Sequence, residues 1–288
     1  MQITAKSYFS GAGGMDLGIE ESGINIIESY EIDKKCCDTL RKNFKHHVNE
    51  ADITQITVLD QNDADVYIGT FPCTRYSTIA DISGTRTGDD LFLHFFRHIA
   101  LAQPEMYVVE NVPGMLKFKV VMEALTKLPD YYVRVECPVN ANMWLPQERK
   151  RLILIGSKKP FTNFDYPNSQ PLRLKDIIEK DASIDIPQYV YNRINGKYRD
   201  KPIISDPDND DLAPTCVAHY AKDKGTRLIK DGQRIRPYTV REYARLQGFP
   251  DWFEFCGTDN DAYRQIGNAV AVPMGRWIGK QIVKYFNS

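Results

Sequence analysis

Ile68-Gly69-Thr70-Phe71-Pro72-Cys73-Thr74-Arg75-Tyr76-Ser77 is the stretch on which the fold turns. An apolar run, Ala64 to Ile68, leads into it and predicts a short buried strand. Gly69 and Pro72 break that strand, which puts Cys73 on a turn just past its end. In an open α/β sheet, ligands bind at the carboxyl ends of the strands. A cysteine in that place is a candidate nucleophile.

Upstream, Ile3 to Phe9 alternates and ends in the glycine turn Ser10-Gly11-Ala12-Gly13-Gly14. Met15 to Ser22 has helical spacing and Gly23 stops it. Ile24 to Tyr30 predicts a second strand with Glu31 at its end, followed by a helix over Lys34 to Asn43 and a short segment closed by Ala51-Asp52-Ile53. Strand, glycine turn, helix and strand with a terminal acid make a βαβ unit of the dinucleotide-binding type. The glycines let backbone approach a ligand, and the acid can accept hydrogen bonds from ribose hydroxyls. Downstream, Leu91 to Ala102 and Val120 to Leu128 have helical spacing. Met106 to Val109, Tyr131 to Val135 and Leu152 to Ile155 read as strands, the first running into Glu110-Asn111-Val112. This alternation predicts an α/β fold with a doubly wound, mostly parallel sheet.

From Lys158 to about Arg236 prolines recur and periodicity fades, which predicts a small, loop-rich second domain. Helical spacing returns over Thr239 to Gln247, with Thr239 as N-cap and Gly248 as stop, and again over Val272 to Phe286. The boundaries are therefore 1–160 for a catalytic and cofactor domain, 161–236 for a small recognition domain, and 237–288 for a segment whose last helix returns to the first domain.

The 288 residues carry a net charge of −1, unevenly placed. After Pro146 there are 24 Lys and Arg against 18 Asp and Glu. The bias peaks between His219 and Arg245, in Lys222, Lys224, Arg227, Lys230, Arg234, Arg236, Arg241 and Arg245. A solvated loop and a nucleic-acid surface both fit such a run. No apolar run approaches the roughly 20 residues of a membrane span, and the N-terminus runs straight into a strand pattern with no secretory signal. Six cysteines without disulfide or metal-ligand spacing imply a reducing cytoplasm and no metal.

In order along the chain, Tyr8-Phe-Ser-Gly-Ala-Gly-Gly-Met-Asp-Leu-Gly18, Glu31-Ile-Asp33, Asp52-Ile53, Phe71-Pro-Cys73, Glu110-Asn-Val112, Gln147-x-Arg149-x-Arg151, Arg241-Glu-Tyr-Ala-Arg-Leu-Gln-Gly-Phe-Pro250 and Gln265-Ile-Gly-Asn-Ala-Val270 resemble the motifs of the bacterial and phage DNA (cytosine-5) methyltransferases. Each pattern is weak alone; their shared order over most of the chain is specific. Two departures stand out. Thr74-Arg75-Tyr76-Ser77 replaces the Gln and small-residue–Phe–Ser run usual after the cysteine, and Ser7 stands where an Asp is common.

The resemblance implies an S-adenosylmethionine-dependent methyltransferase fold and methyl transfer to C5 of a cytosine flipped out of duplex DNA. It assigns Cys73 as the thiolate that adds to C6. Glu110 would hydrogen-bond or protonate N3, and Arg149 and Arg151, alternating on an extended segment, would hold O2 and orient Glu110. Phe9, Gly11, Gly13, Glu31, Ile32, Asp52, Ile53, Asn268 and Val270 would surround the cofactor, S-adenosyl-L-methionine. Asn111 is expected to hold a loop, and Cys36, Cys37, Cys137, Cys216 and Cys256 to be structural. Thr74 to Gly88 is expected to close over the flipped base. DNA contacts are expected from Arg75, Ser77 and Arg86, and from Lys222, Lys224 and Arg227 in the small domain. A monomer, a cytoplasmic location in a prokaryotic or phage-infected cell and a cognate restriction endonuclease as functional partner complete the expectation. A catalytically silent relative and an RNA-directed one are the alternatives.

Overall fold

The apolar segments of the first 157 residues assemble into one seven-stranded sheet. The protein is described by a computed structural model that covers residues 2–57, 63–72, 91–160, 164–168, 170–179, 182–184, 186–197 and 199–288. The strands are β1 (Thr4–Tyr8), β2 (Asn25–Glu31), β3 (His47–Glu50), β4 (Val66–Gly69), β5 (Met106–Asn111), β6 (Tyr132–Asn140) and, after the two-residue β7 (Gln147–Glu148), β8 (Lys150–Ser157). Their spatial order is β3-β2-β1-β4-β5-β8-β6. The first five are parallel and β8 is antiparallel to both of its neighbours. Strands β4 and β5 are buried along their whole length, which is why they read as continuous apolar runs. β6 and β8 extend beyond the predicted segments because they pair with each other from Tyr132↔Ser157 to Asn140↔Lys150, so polar residues at their ends are held by the ladder. Ala51 to Ile53 follow β3 as a turn.

One face of the sheet is covered by helix α1 (Gly14–Glu20) and by the last helix; the other by α3 (Leu91–Ala102) and α4 (Lys119–Thr126), while α2 (Lys34–Asn43) packs beside β2 and β3. Beyond the sheet, α5 (Leu174–Ile177) and α6 (Gln188–Asn195) lead to β9 (Ile203–Ser205), β10 (Ala213–Pro214), β11 (Arg227–Asp231) and β12 (Arg234–Arg236). β9, β11 and β12 form a separate three-stranded sheet, and β10 pairs with β7. The chain then returns through α7 (Val240–Leu246), α8 (Asp259–Asn268) and α9 (Val272–Phe286). Thr239 caps α7: its hydroxyl accepts from the Glu242 amide, the Glu242 carboxylate accepts from the Thr239 amide, and Gly248 takes the left-handed conformation after the helix (φ 79°). Glu242 also receives both Nη groups of the fully buried Arg236, each at 2.8 Å.

The contact that brings the end of the chain back to its beginning is between α1 and α9. Glycines allow it. A Cβ at Gly18 would lie 2.4 Å from the Arg276 nitrogen and the Val272 oxygen, and one at Gly279 would meet the Ser22 side chain at 2.5 Å. The Ser22 hydroxyl donates to the Arg276 carbonyl across the crossing (3.0 Å). Gly18→Ala is therefore expected to push the helices apart and lower the free energy of unfolding by about 1–3 kcal/mol, the usual cost of overpacking a tight interface. Urea unfolding measures it, and an unchanged midpoint would show that the crossing has slack.

Candidate active site

The chain runs from β1 outward through β2 to β3 and returns to β4 on the other side of β1. The loops after β1 and β4 therefore part, and a cavity of about 420 Å³ opens between them, a typical size for a small-molecule site. Phe9, Gly11, Glu31, Ile32, Asp52 and Ile53 line it, and Asn268 and Val270 reach it from the end of α8. The two loops are tied together: the Thr70 amide donates to the Tyr8 carbonyl (3.2 Å) and the Thr70 hydroxyl to the Phe9 carbonyl (2.9 Å).

Glu31 organises the cavity wall. One carboxylate oxygen accepts from the Gly11 amide (2.8 Å) and the other from the amides of Ile32 (2.9 Å) and Asp33 (2.8 Å). Burial pushes its carboxyl above the ordinary range, opposed by those backbone donors. A carboxylate offers about four acceptor positions, so one remains for a ligand hydroxyl. Ile32 is 66% exposed although it faces the cavity, an apolar surface that a flat ring would cover. Asp52 is held below the usual carboxylate range by hydrogen bonds from Thr54. The Arg264 guanidinium donates to Asp33 (2.6 Å) at the rim. Gly13 stands behind the residues that line the cavity; at φ 82° its missing Cβ makes room for Phe44 and Leu40.

At the other end of the cavity, Glu110 is buried at the end of β5, and Arg151 Nε lies 2.8 Å from its carboxylate. The Asn111 side chain donates to the Phe71 carbonyl (3.1 Å), so it holds the Phe71-Pro72 segment that leads to Cys73. Arg149 and Arg151 part company. Arg149 is almost completely buried, and its two Nη groups donate to the carbonyls of Cys216 (2.7 Å), Ala269 (2.7 Å) and Gly267 (3.3 Å). Burial and the neighbouring Arg151 cation push its pKa down to about 9, which leaves it charged at neutral pH. Positions two apart on an extended segment share a face, so the two arginines do not alternate, and both line the cavity; their partners separate them, the Glu110 carboxylate for Arg151 and backbone carbonyls for Arg149. Gln147 acts in the same way, donating to the Leu246 carbonyl (2.6 Å) and accepting from the Cys216 amide (2.8 Å).

Two further groups of expected residues resolve differently. Cys73, Arg75, Ser77 and Arg86, with the expected closing loop Thr74 to Gly88, lie outside the described residues. In the basic run most cations are held internally. Lys230 pairs with Asp206 (2.6 Å), Arg234 and Arg236 with Asp231 (2.8 Å each), and Arg245 with Asp251 (2.8 Å). Arg241 serves the Pro250 and Phe253 carbonyls, and Arg227 Nε the Thr215 carbonyl (3.1 Å). Lys224 sits over the Tyr263 ring (4.6 Å), and Lys222 is exposed. Carboxylates 3 to 24 positions away in sequence meet the charge that composition suggested was free.

A residue with no expected role underlies the glycine turn. Asp16 is wholly buried, and its two oxygens accept from Ser7 Oγ (2.6 Å) and Ser29 Oγ (2.8 Å). Ser29 Oγ lies 2.7 Å from His46 Nε2, and His46 Nδ1 lies 2.9 Å from Glu20. A signal existed in Ser7, which stands where the resemblance expects an acid.

A mostly parallel sheet with a glycine-turn cavity at its switch point, and a buried carboxylate–arginine pair beside it, defines a transferase that uses a nucleoside-bearing cofactor. Comparison with known proteins gives the family. The profile for C-5 cytosine-specific DNA methylase matches residues 3–284. The chain is 30% identical to the type II methyltransferase M.NgoFVII of Neisseria gonorrhoeae, with 98% of this chain and 86% of that protein covered. It is 31% identical to M.Bsp6I of Bacillus sp. (strain RFL6), with 96% and 98% covered. Among solved structures, the Entamoeba histolytica methyltransferase EhMeth superposes over both full chains with a TM-score of 0.83 at 19% identity, which bears on the fold. The chain belongs to the C-5 cytosine-specific DNA methylase family. It is a DNA (cytosine-5) methyltransferase, and S-adenosylmethionine is its methyl donor. The cavity fits that cofactor: Glu31 has an acceptor position to offer a ribose hydroxyl, Asp52 a carboxylate, and Ile32 and Phe9 apolar surface for a purine.

Two outcomes are expected. Arg149→Met should lower stability by about 1–3 kcal/mol for each buried carbonyl left without a donor, and Arg149→Lys should not restore it, because one ammonium cannot span three carbonyls. Urea titration measures both. The second concerns pH. Burial holds the Asp16 carboxyl above its ordinary range, opposed by His46 and the two serine hydroxyls, with Glu20 nearby raising it further. In the unfolded chain the group ionises at about pH 4. The stability it contributes is therefore fully present below that pH and is lost as pH rises through the folded value. The unfolding free energy of Asp16→Asn minus that of the unmodified protein should climb from about pH 4 upward. Parallel pH profiles would refute the raised titration.

Proposed function

We propose that the protein methylates a cytosine flipped out of duplex DNA through covalent addition of Cys73. The observation that carries this reading is convergence on one cavity. Glu110 and Arg151 stand on its wall, and so do Phe71 and Pro72, the residues that run directly into Cys73. Cytosine C5 is a poor nucleophile, and bound S-adenosylmethionine supplies an electrophilic methyl group on a sulfonium. Addition of the Cys73 sulfur to C6 moves the C5=C6 electrons toward C5, and Glu110 takes up the charge that develops at N3 by hydrogen bonding or proton donation. Arg151, whose Nε meets Glu110 and whose Nη1 donates to the Lys150 carbonyl, holds Glu110 and offers its remaining nitrogen, Nη2, to O2. Departure of the C5 proton and of the thiolate restores the aromatic ring.

The base must leave the duplex for these groups to reach it. Lys222, Lys224 and Arg227, with Arg75, Ser77 and Arg86 in the segment after Cys73, are assigned to phosphate and groove contacts. The small region around β9, β11 and β12 is assigned to target recognition. We assign a monomer on DNA, a cytoplasmic location and a cognate restriction endonuclease as functional partner, in line with the type II relatives. No helix among the described residues is long and apolar enough to cross a membrane.

Labelled S-adenosylmethionine should transfer its methyl group to duplex DNA and not to RNA, and Cys73→Ala should abolish the transfer. DNA carrying 5-fluorocytosine at the target should form a denaturant-stable complex with the protein and none with Cys73→Ala, since fluorine cannot leave C5. Turnover without such a complex would overturn the covalent step. Bisulfite mapping of methylated DNA identifies the site; a short one is expected from the compact recognition region.

A further inference from the structure

Phe9 begins the cofactor turn with φ 61°, a left-handed conformation uncommon for a bulky side chain. Backbone of this kind persists where the surroundings over-determine it. Two of its restraints come from the flanking strands: the Phe9 and Ser10 amides both donate to the Tyr30 carbonyl (2.9 and 3.2 Å), and Thr70 holds the Phe9 carbonyl from β4 (2.9 Å). The third comes from beneath. Ser10 Oγ donates to Ser7 Oγ (2.8 Å), and Ser7 Oγ donates to Asp16 (2.6 Å). Ser7 and Ser29 are register partners on adjacent parallel strands, and Asp16 accepts from both. Ser29 meets His46, and His46 returns to Glu20, one turn along α1 from Asp16. A ring of side chains closed through the backbone of α1 therefore locks that helix onto β1 and β2 directly under the turn. Ser10 is its one member that also lines the cavity.

We propose that Asp16, acting through Ser7 and Ser10, is a positioning residue for the methyl donor: it holds the Phe9–Gly11 backbone in the form that receives the cofactor. None of the ring's carboxylates or hydroxyls takes part in the chemistry. Their effect is on cofactor affinity, so the KM for S-adenosylmethionine should change while kcat does not. The orientation of the ring also predicts an order among variants. Asparagine at position 16 keeps one oxygen for Ser7, whereas alanine keeps none.

This inference rests on the cavity being the cofactor site, and one experiment separates the two. Calorimetric titration with S-adenosylhomocysteine is run on the unmodified protein and on Asp16→Asn, Asp16→Ala, Ser7→Ala, Ser10→Ala and the Asp16→Ala/Ser10→Ala pair, with thermal melts to show that each is folded. Kd should rise about tenfold in Asp16→Ala and Ser7→Ala, the scale of one charge-assisted hydrogen bond. It should rise less in Asp16→Asn, and the double variant should be no weaker than Asp16→Ala alone, because both changes cut the same chain. The KM for S-adenosylmethionine should follow Kd with kcat within about twofold. Folded variants that bind S-adenosylhomocysteine as tightly as the unmodified protein, or additive losses in the double variant, would overturn the proposal. Should Asp16→Ala fail to fold, Ser7→Ala and Ser10→Ala decide the outcome alone. Failure of the unmodified protein to bind would overturn the cavity assignment itself.

Discussion

A guanidinium sealed from water and surrounded by carbonyls joins the separate parts of the chain. Arg149 belongs to the segment that enters β8, the Cys216 carbonyl to the stretch returning from the small region, and the carbonyls of Gly267 and Ala269 to the end of α8. A buried cation without acceptors around it would cost several kcal/mol, so each of these backbone groups is fixed in place by the need to solvate it. Gln147 and Gln247 extend the same seam, the first to Leu246 and Cys216, the second to Ile266 and Ala269. Asn268 and Val270 reach the cofactor cavity because this seam holds the residues on either side of them. Arg151 is left to face Glu110 because backbone carbonyls take up Arg149.

The cofactor end depends on a different economy of charge. Two acids there are held above their ordinary titration range by burial, the half-buried Glu31 at the wall and the fully buried Asp16 beneath the turn. Both are met by donors that carry no formal charge, namely backbone amides for Glu31 and serine hydroxyls for Asp16. A site that must accept a positively charged sulfonium gains from acids that are not already neutralised by lysine or arginine. Among the described residues the cations that line the cavity are already engaged, Arg264 on Asp33, Arg151 on Glu110 and Arg149 on backbone carbonyls.

Much of this could be read from residues alone, for definite reasons. The glycine turn, the acid after β2 and the Thr239 cap with its Gly248 stop are local devices, complete within a few residues, and they appear where expected. Strands β6 and β8 are longer than periodicity implied because pairing supplied what side-chain pattern did not. The roles that were hidden depend on tertiary partners. Arg149 and Arg151 share a face of their extended segment, and what separates their roles is the set of carbonyls about 70 to 120 positions away that takes up Arg149. In the basic run, Asp206, Asp231 and Asp251 pair with Lys230, Arg234, Arg236 and Arg245. Asp16 reads as an ordinary first-turn acid, and only the register of Ser7 with Ser29 turns it into a buried hub.

The glycines between α1 and α9 have a temporal consequence. The Val270 carbonyl lies 2.2 Å from where a Cβ of Gly14 would be, so the turn that opens the cofactor cavity is finished by a residue 256 positions later. Until the ribosome has released that residue, the first βαβ unit lacks the wall that completes its pocket. All seven strands of the main sheet are synthesised before that wall, which makes closure of the cavity a late step.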